Sequence, residues 1–163
     1  MARTPPTIVA SGNGASALPA GIRILARGGS ALDAVEACAK IIEADPTDTS
    51  VGRGGKPNVL GEVELDASIV DGTTHRVGAV GALKGYLHPI SIARAVMERT
   101  PHVFIVGDGA ARFAREIRAE RTRNLTASTR ELWVRKLREA GETPTSVRRR
   151  AKLLPVVLKT VRE

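Results

Sequence analysis

Cysteine and aromatic residues are scarce in this sequence. Cys38 is the single cysteine, so no disulfide can form within the chain. Its apolar neighbours at helical spacing predict a buried filler rather than a nucleophile. Aromatic residues make up 2% of the chain, so a core must be built mainly from Ala, Val, Ile and Leu. Such a core favours closely packed layers of helix on sheet.

The sequence also contains no stretch typical of a membrane-spanning or secretory segment. No apolar stretch reaches the length of about 20 residues that crosses a bilayer. Residues 1–6 lead into a short apolar stretch without the apolar region and small-residue cleavage site of a secretory signal. We therefore expect a soluble protein of the cytoplasm.

Positive charge is concentrated in the last third of the chain. The formal net charge is +8, of which residues 111–163 carry +9 and the remainder −1. Charge alone gives affinity for phosphate, and Arg148, Arg149 and Arg150 form a local cluster. However, one Trp and one Tyr cannot form a platform for stacking bases, and no nucleic-acid-binding motif is present. We therefore do not expect a nucleic-acid partner.

One strand and two helices are predicted in the first 45 residues. Thr7–Ala10 is apolar and precedes the turn Ser11–Gly14, which indicates a short buried strand. Apolar residues at helical spacing predict a helix from Leu18 that ends at two glycines. Ser30 can cap a second helix, which Asp45-Pro46 ends.

A loop dense in glycine and proline spans residues 45–63. A loop of this length without regular structure is either functional or disordered. Because a clear helix precedes it and clear strands follow it, we expect an ordered, functional loop.

Strands and helices alternate beyond this loop. Strands are predicted over residues 64–70, 77–80 and 102–106, the last of them buried, and helices over 89–99 and 107–119. The small residues of the second strand allow close approach of another layer. This order fits a mixed α/β fold or a layered α+β sandwich.

The chain divides into a body and a basic end. Residues 1–120 form the predicted folded body. Residues 121–163 are predicted to hold one helix, over 129–140, and a flexible tail from Gly141.

Two further motifs predict no chemistry. Gly107–Ala110 lies between a strand and a helix, as a phosphate-binding turn would, but it lacks the third glycine and carries an acidic residue. A tight structural turn is the better interpretation. His75, His88 and His102 do not have the spacing of a metal site, and we assign none of them to a metal.

Seven short segments are informative through their order and spacing. They are Ser30–Glu36, Ser50–Asn58, Gly61–Ala67, Asp71–Thr74, Val77–Val80, Ala93–His102 and Val106–Ala110. Together they resemble the glycosylasparaginase and isoaspartyl-peptidase family of N-terminal-nucleophile hydrolases. The resemblance covers residues 8 to about 115.

The resemblance implies a fold and a reaction. The family fold is a four-layer αββα sandwich, here completed by a separate β chain. A family precursor cuts itself before a threonine, whose hydroxyl becomes the nucleophile and whose own α-amine is the base. This pairing is needed because a threonine hydroxyl is a poor nucleophile until a positioned base takes its proton. The implied activity is hydrolysis of β-aspartyl amide bonds.

The motif of the nucleophile is absent from this chain. The family has an acidic residue or Gly, then Thr, an apolar residue and Gly, and no such tetrapeptide occurs here. The last threonine, Thr160, is followed by Val161 and Arg162. We therefore predict an α subunit whose tail leads to the cleavage site, a β subunit that begins with the nucleophile, and an (αβ)₂ assembly.

The resemblance also suggests site residues. Ser50 is expected to orient the amine of the nucleophilic threonine, because its hydroxyl can both donate and accept. Ser11, Gly12 and Asn13 are expected to bind substrate, although Asn between glycines is also a turn former. The Trp that glycosylasparaginases carry in this turn and the His-Gly-Gly-Ala-Gly run of isoaspartyl peptidases are both missing. Substrate specificity therefore stays open.

The loop after Ser50 is expected to support the site. The supporting residues are Val51, Gly52, Gly54 and Gly55. In isoaspartyl-peptidase relatives the corresponding loop wraps a sodium ion with backbone carbonyls, and hard cations prefer oxygen ligands. Arg53 and Lys56 argue against a cation in this loop. We expect no cofactor, and a structural sodium ion within residues 51–61 is the alternative.

Two classes of function follow. The first is the α subunit of an amidohydrolase acting on N-glycosyl-asparagine, with β-aspartyl peptides or asparagine as alternative substrates. The second is a non-catalytic module that associates with nucleic acid through its basic tail. A second polypeptide beginning with threonine would distinguish the first class from the second.

Overall fold

In its described residues, the protein is a mixed α+β structure of one small sheet and six α-helices. The computed structural model describes residues 5–160, with side chains to residue 152. The prediction that the tail around Thr160 leads to the cleavage site therefore concerns side chains outside the described part. The elements are a 3₁₀ helix Gly12–Ala17, α1 Leu18–Ala26, α2 Ala31–Ala44, β1 Leu65–Asp71, β2 Arg76–Leu83, α3 Pro89–Arg99, β3 Phe104–Val106, α4 Gly107–Glu116, α5 Ala127–Glu139 and α6 Pro144–Thr160. Within this range, no helix is long and apolar enough to cross a membrane.

The predicted order of strands and helices over residues 64–119 is confirmed. Strand β2 lies at the centre of the sheet, with β1 antiparallel on one side and β3 parallel on the other. The parallel pair is joined through α3, which makes a β-α-β crossover. Strand β3 runs directly into α4 at Gly107, so the predicted tight turn is also confirmed.

Helix α3 covers one face of the sheet. Ile92, Ala93 and Val96 are at most 1% exposed and belong to the same core cluster as Ile69 and Val80. The helix lies so close to β2 that a Cβ added to Gly78 would stand 2.1 Å from the carbonyl oxygen of Ala93. The expectation that small residues of this strand admit another layer is therefore confirmed.

The opposite face of the sheet is open. Side chains alternate between the two faces of a strand, so Val70, Phe104 and Val106 point away from α3. These three side chains are exposed. Beside them lies the small residue Ala79, and the ring of Phe104 covers Gly81.

Two predictions about buried strands are wrong. Thr7–Ala10 forms no strand, and Val9 is 86% exposed, because these residues pair with no strand in the described part of the chain. Strand β3 is shorter than predicted and mostly exposed, because among the described strands it pairs with β2 alone and lies at the edge of the sheet. Apolar composition alone did not indicate that either segment would lack a neighbour.

The helices before residue 45 form as predicted. Ser30 accepts a hydrogen bond from the amide of Asp33, and the Asp33 carboxylate accepts from the amide of Ser30, which completes a capping box on α2. Arg94 of α3 bonds to Asp33 and Glu36 at 2.7 and 2.8 Å, so a partly buried ion-pair network joins the two helices.

The basic end contains more regular structure than the sequence suggested. Helix α5 corresponds to the predicted helix, whereas α6 occupies most of the segment that was predicted to be a flexible tail. Thr143 and Ser146 exchange backbone-to-hydroxyl hydrogen bonds at the start of α6, with Pro144 at its first position. This cap is a local signal that the sequence analysis missed. Val147 then packs with Trp133 and Leu137 of α5.

Candidate functional site

A cluster of four polar side chains joins the turn at Ser11 to the loop at Ser50. The Oγ of Ser11 donates to Oδ1 of Asn13 over 2.6 Å, and Nδ2 of Asn13 donates to Oγ of Ser50 over 3.1 Å. The same Nδ2 donates to Oδ2 of Asp48 over 3.0 Å, and the Ser50 hydroxyl donates to Oδ1 of Asp48. The structure thus brings together three residues that the sequence indicated, and adds Asp48. We name Ser11, Asn13, Asp48 and Ser50 the polar cluster.

Short-range hydrogen bonds hold both segments of the polar cluster. The amide of Gly14 donates to the carbonyl of Ser11 over 2.8 Å, where the chain enters the 3₁₀ helix. The amide of Ser50 donates to Oδ1 of Asp48 over 2.7 Å, an Asx turn that orients the serine. Both segments therefore present their side chains from defined backbone, and Ser50 is exposed.

The directions of the hydrogen bonds leave the Ser50 oxygen able to accept a further hydrogen bond from the solvent side. Its proton points to Asp48, and one of its two lone pairs accepts from Asn13. The second lone pair is left for an incoming N–H or O–H group. The Ser50 hydroxyl also holds the pKa of Asp48 below its usual value, so Asp48 stays ionised and keeps accepting that proton.

Gly12 takes no part in these contacts. A Cβ added to Gly12 would meet no atom within 4 Å, so the turn is open at the position next to Asn13. Beside the turn lies a cavity of about 290 Å³, with an apolar lining that includes Ile8, Val35 and Cys38. Ser11 and Asn13 line the same cavity and supply its polar edge.

The glycines of the loop after Ser50 are required by its path. Gly52 has a φ of 57°, and an added Cβ would lie 2.1 Å from the carbonyl oxygen of Glu43. Gly54 has a φ of 102° and would clash with the Pro46 carbonyl at 2.6 Å. Gly55 is buried, and its amide donates to the carbonyl of Gly52 over 3.2 Å. These contacts define the backbone path of the loop.

Glu43 lies beneath this loop, and the sequence analysis did not single it out. It is 5% exposed, and its Oε1 accepts from the amide of Ile90 over 2.9 Å at the start of α3. Burial raises the pKa of Glu43 to about 7. The Nδ1 of His88 lies 3.3 Å from Oε2 of Glu43, and burial lowers the pKa of His88. Desolvation thus disfavours the charged form of each group, the carboxylate of Glu43 and the imidazolium of His88.

The basic end packs against the far side of the loop. The Nε1 of Trp133 donates to the carbonyl of Val59 over 3.1 Å, and the indole occupies the space that a side chain at Gly61 would need. Arg148 of α6 stacks over this indole at 5.6 Å and donates to the carbonyl of Leu60. Helices α5 and α6 therefore brace the loop that carries Ser50.

Comparison with known proteins identifies the family. The model of the asparaginase family matches residues 10–154, which include the polar cluster and the loop. The chain belongs to the asparaginase family.

Individual relatives carry three different names. This family member is 44% identical over 122 residues to the N(4)-(beta-N-acetylglucosaminyl)-L-asparaginase of Elizabethkingia miricola, an alignment that covers 75% of this chain and 36% of the relative. It is 46% identical to the isoaspartyl peptidase/L-asparaginase of Mus musculus, over 63% of this chain and 31% of the relative. It is 44% identical to the plant-type L-asparaginase of Thermococcus kodakarensis, over 78% of this chain and 42% of the relative. The chain thus spans about a third of the length of these relatives.

Proposed function

We propose that this asparaginase-family chain is the α subunit of an autoprocessed amidohydrolase that cleaves β-aspartyl amide bonds. The nucleophilic threonine would stand at the N-terminus of a separate β subunit. The preferred substrate is an N4-(β-N-acetylglucosaminyl)-L-asparagine, and β-aspartyl peptides and L-asparagine are the alternatives. The names of the similar proteins support this substrate class.

The polar cluster is the observation that carries the proposal. Asn13 and Ser50 come from segments 37 residues apart and meet at the surface, with the Ser50 oxygen free to accept one further hydrogen bond. A surface hydroxyl whose own proton is held by a carboxylate is suited to receive an N–H donor. The α-amine of an N-terminal threonine is such a donor.

In the proposed reaction, Ser50 positions the amine and the threonine does the chemistry. The amine donates one N–H to the Ser50 oxygen. This hydrogen bond orients the lone pair of the amine nitrogen towards the threonine hydroxyl. The amine then takes the hydroxyl proton as the threonine oxygen attacks the β-carbonyl carbon of the substrate. The proton passes to the leaving nitrogen as the amide bond breaks, and water hydrolyses the resulting ester to aspartate. Nucleophile and base both belong to the threonine, so the reaction requires no cofactor.

The open face of the sheet supports a separate β chain. Val70, Phe104 and Val106 are 58%, 59% and 52% exposed on that face, beside the small residue Ala79. Apolar area of this kind is stabilised when another sheet covers it. A second sheet there, with its own helices outside, would give the αββα sandwich, and two such pairs would give (αβ)₂.

The proposal is tested on the protein isolated from its own cells. The chain is tagged at its chromosomal locus, purified, and analysed by intact mass and N-terminal sequencing. We expect a second polypeptide that begins with threonine. The purified complex is then assayed with N4-(β-N-acetylglucosaminyl)-L-asparagine, a β-aspartyl dipeptide and L-asparagine, and release of aspartate is measured.

Two outcomes would contradict the proposal. One is a chain without a threonine-initiated partner and without activity on any of the three substrates. The other is full activity after the new N-terminal threonine has been replaced by alanine. The relative rates on the three substrates decide between the glycosylasparaginase and isoaspartyl-peptidase types.

A further inference from the structure

Three arginine side chains line a cavity that shares no lining residue with the cavity beside the polar cluster. The cavity has a volume of about 630 Å³, and Arg53, Arg123 and Arg130 line it. The other lining residues are Leu125, Thr126 and Ala127. Among the residues with described side chains, none of the lining residues is acidic. We name this cavity the arginine pocket.

The backbone places two of these arginines side by side. The amide of Gly54 donates to the carbonyl of Asn124 over 2.8 Å, so the residues next to them in sequence, Arg53 and Arg123, are held together. Asn124 is 4% exposed, and its side chain donates to the carbonyl of Tyr86 and accepts from the amide of Gly85, both at 3.0 Å. A buried anchor therefore holds together the two backbone segments that carry Arg53 and Arg123.

Unlike Arg94 and Lys84, the three cations have no acidic neighbour among the residues with described side chains, a property they share with most cations of the chain. Arg94 bonds to three carboxylates and Lys84 lies close to two. In the part of the chain with described side chains, no carboxylate oxygen lies within 4.0 Å of the guanidinium groups of Arg53, Arg123 or Arg130. Three like charges around one cavity repel each other, and a bound anion would convert that repulsion into attraction.

We propose that the arginine pocket binds a phosphate-type oxyanion, as the free ion or as a small phosphomonoester. A guanidinium group presents paired N–H donors that match two oxygens of a phosphate, and three such groups can surround one tetrahedral ion. The cavity is larger than a single phosphate and has no aromatic side chain in its lining, so a sugar phosphate fits better than a nucleobase. This inference does not depend on the proposed amidohydrolase activity.

Calorimetric titration of the full chain tests the proposal. Inorganic phosphate and glucose 6-phosphate are titrated separately at constant ionic strength, because surface charge alone would also attract anions. We expect saturable binding of one anion per chain for at least one of the two probes. Saturation by phosphate alone identifies the free ion as the ligand, and tighter binding of glucose 6-phosphate identifies the ester.

Matched variants distinguish the pocket from net charge. Arg53→Gln, Arg123→Gln and Arg130→Gln should each weaken binding about tenfold or more, because each removes a charge-assisted donor pair. Arg135→Gln makes the same charge change on α5, at a side chain 70% exposed and outside the pocket, and should leave the dissociation constant within twofold. Arg130→Lys keeps the charge but loses the paired donors, and should still weaken binding.

Several results would overturn the proposal. The first is that Arg135→Gln weakens anion binding as much as the three pocket variants do. The second is that neither probe gives saturable heat. The third is that the protein binds a DNA duplex and that Arg53→Gln and Arg135→Gln weaken this binding to the same extent. Melting curves followed by circular dichroism confirm that each variant is folded before titration. A variant that does not fold is replaced by the corresponding lysine substitution.

Discussion

Asn13 donates from Nδ2 to the Oγ of Ser50 over 3.1 Å, and the same nitrogen donates to Asp48 over 3.0 Å. One amide group therefore links the first turn of the protein to the loop that follows α2. Neither segment is a site by itself, since an Asn between glycines and a Ser at a loop start are both common in turns. Their contact turns two weak sequence hypotheses into one polar cluster with defined donors and acceptors.

Replacing Ser50 by alanine should lower turnover far more than stability. In the αβ complex we expect kcat to fall about 100-fold, within the range by which positioned acid–base groups accelerate reactions. The free energy of unfolding should change by about 1 kcal/mol or less, because the side chain is exposed. Steady-state kinetics and urea unfolding measure the two effects. Ser128→Ala, an exposed serine on α5, is the control, and equal turnover of both variants would remove Ser50 from the site.

Asp48→Asn should affect the reaction through Ser50. The substituted amide places an N–H₂ group against the Nδ2 of Asn13, so one of the two contacts to the cluster is lost. We expect kcat to fall about tenfold, as for the loss of one hydrogen bond to a charged group. KM should change by less than about threefold, because the carboxylate does not touch substrate in the proposed mechanism.

A neighbouring aspartate provides the control for Asp48. Asp45 accepts the amide of Thr47 over 2.8 Å in the same type of turn, but does not reach Ser50. Asp45→Asn should therefore leave kcat unchanged. A larger rise in KM than fall in kcat for Asp48→Asn would indicate a role in substrate binding and contradict the positioning role.

The parts of the fold that were predicted correctly carry local signals. The capping box of Ser30 and Asp33 and the apolar period of α3 each specify a helix from neighbouring residues alone. The exposure of Val9 and Phe104 depends on which strands lie beside them, which no local pattern encodes. Helix α6 was missed because the apolar density is low, although Thr143 and Ser146 mark its start.

The candidate site was predictable only where a motif is continuous in sequence. Ser50 and its glycines form one uninterrupted run, and the strained φ values of Gly52 and Gly54 explain why glycine stands there. Asp48 could have been found, because an aspartate two residues before a serine favours an Asx turn. Glu43 could not, because its burial results from the packing of α2, the loop and α3 on one another.

Glu43 should make the protein less stable as the pH rises. Burial raises its pKa from 4.5 to about 7, so the folded state holds a proton that the unfolded state has released between these values. The contribution of Glu43 to the free energy of unfolding is fully present below about pH 4.5 and is lost as the pH rises through 7. The total loss is about 3 kcal/mol. Nearby Glu36 adds to the rise in pKa, and Lys40 opposes it.

Urea unfolding between pH 4.5 and 8 measures this dependence. Glu43→Gln can still accept the amide of Ile90 but does not titrate, so most of the fall in stability over this range should disappear. Glu139→Gln, at a side chain 67% exposed, should keep the fall of the parent protein. If Glu43→Gln leaves the fall of the free energy of unfolding with pH unchanged, another titrating group is responsible for it.

Gly78 should be among the least replaceable small residues of the sheet. An added Cβ would lie 2.1 Å from the Ala93 carbonyl and 2.6 Å from the Met97 amide, so α3 would have to move away from β2. We expect Gly78→Ala to lower the free energy of unfolding by about 3 kcal/mol. Gly72→Ala, with no atom within 4 Å of the new Cβ, should change it by about 1 kcal/mol or less. Similar melting temperatures for the two variants would mean that α3 can move away from β2 at little cost in stability.

Trp133 should hold the basic end against the loop that carries Ser50. Trp133→Phe keeps a large apolar side chain but removes the donor to the Val59 carbonyl, at an expected loss of about 1.5 kcal/mol. If α5 and α6 open as a unit, this loss raises the rate of tryptic cleavage at Arg135 and Arg138 about tenfold. Glu131→Ala, an exposed change on the same helix, should leave these rates unchanged. Mass spectrometry of timed digests locates the cuts, and cleavage that rises equally at Arg94 in α3 would indicate global rather than local opening.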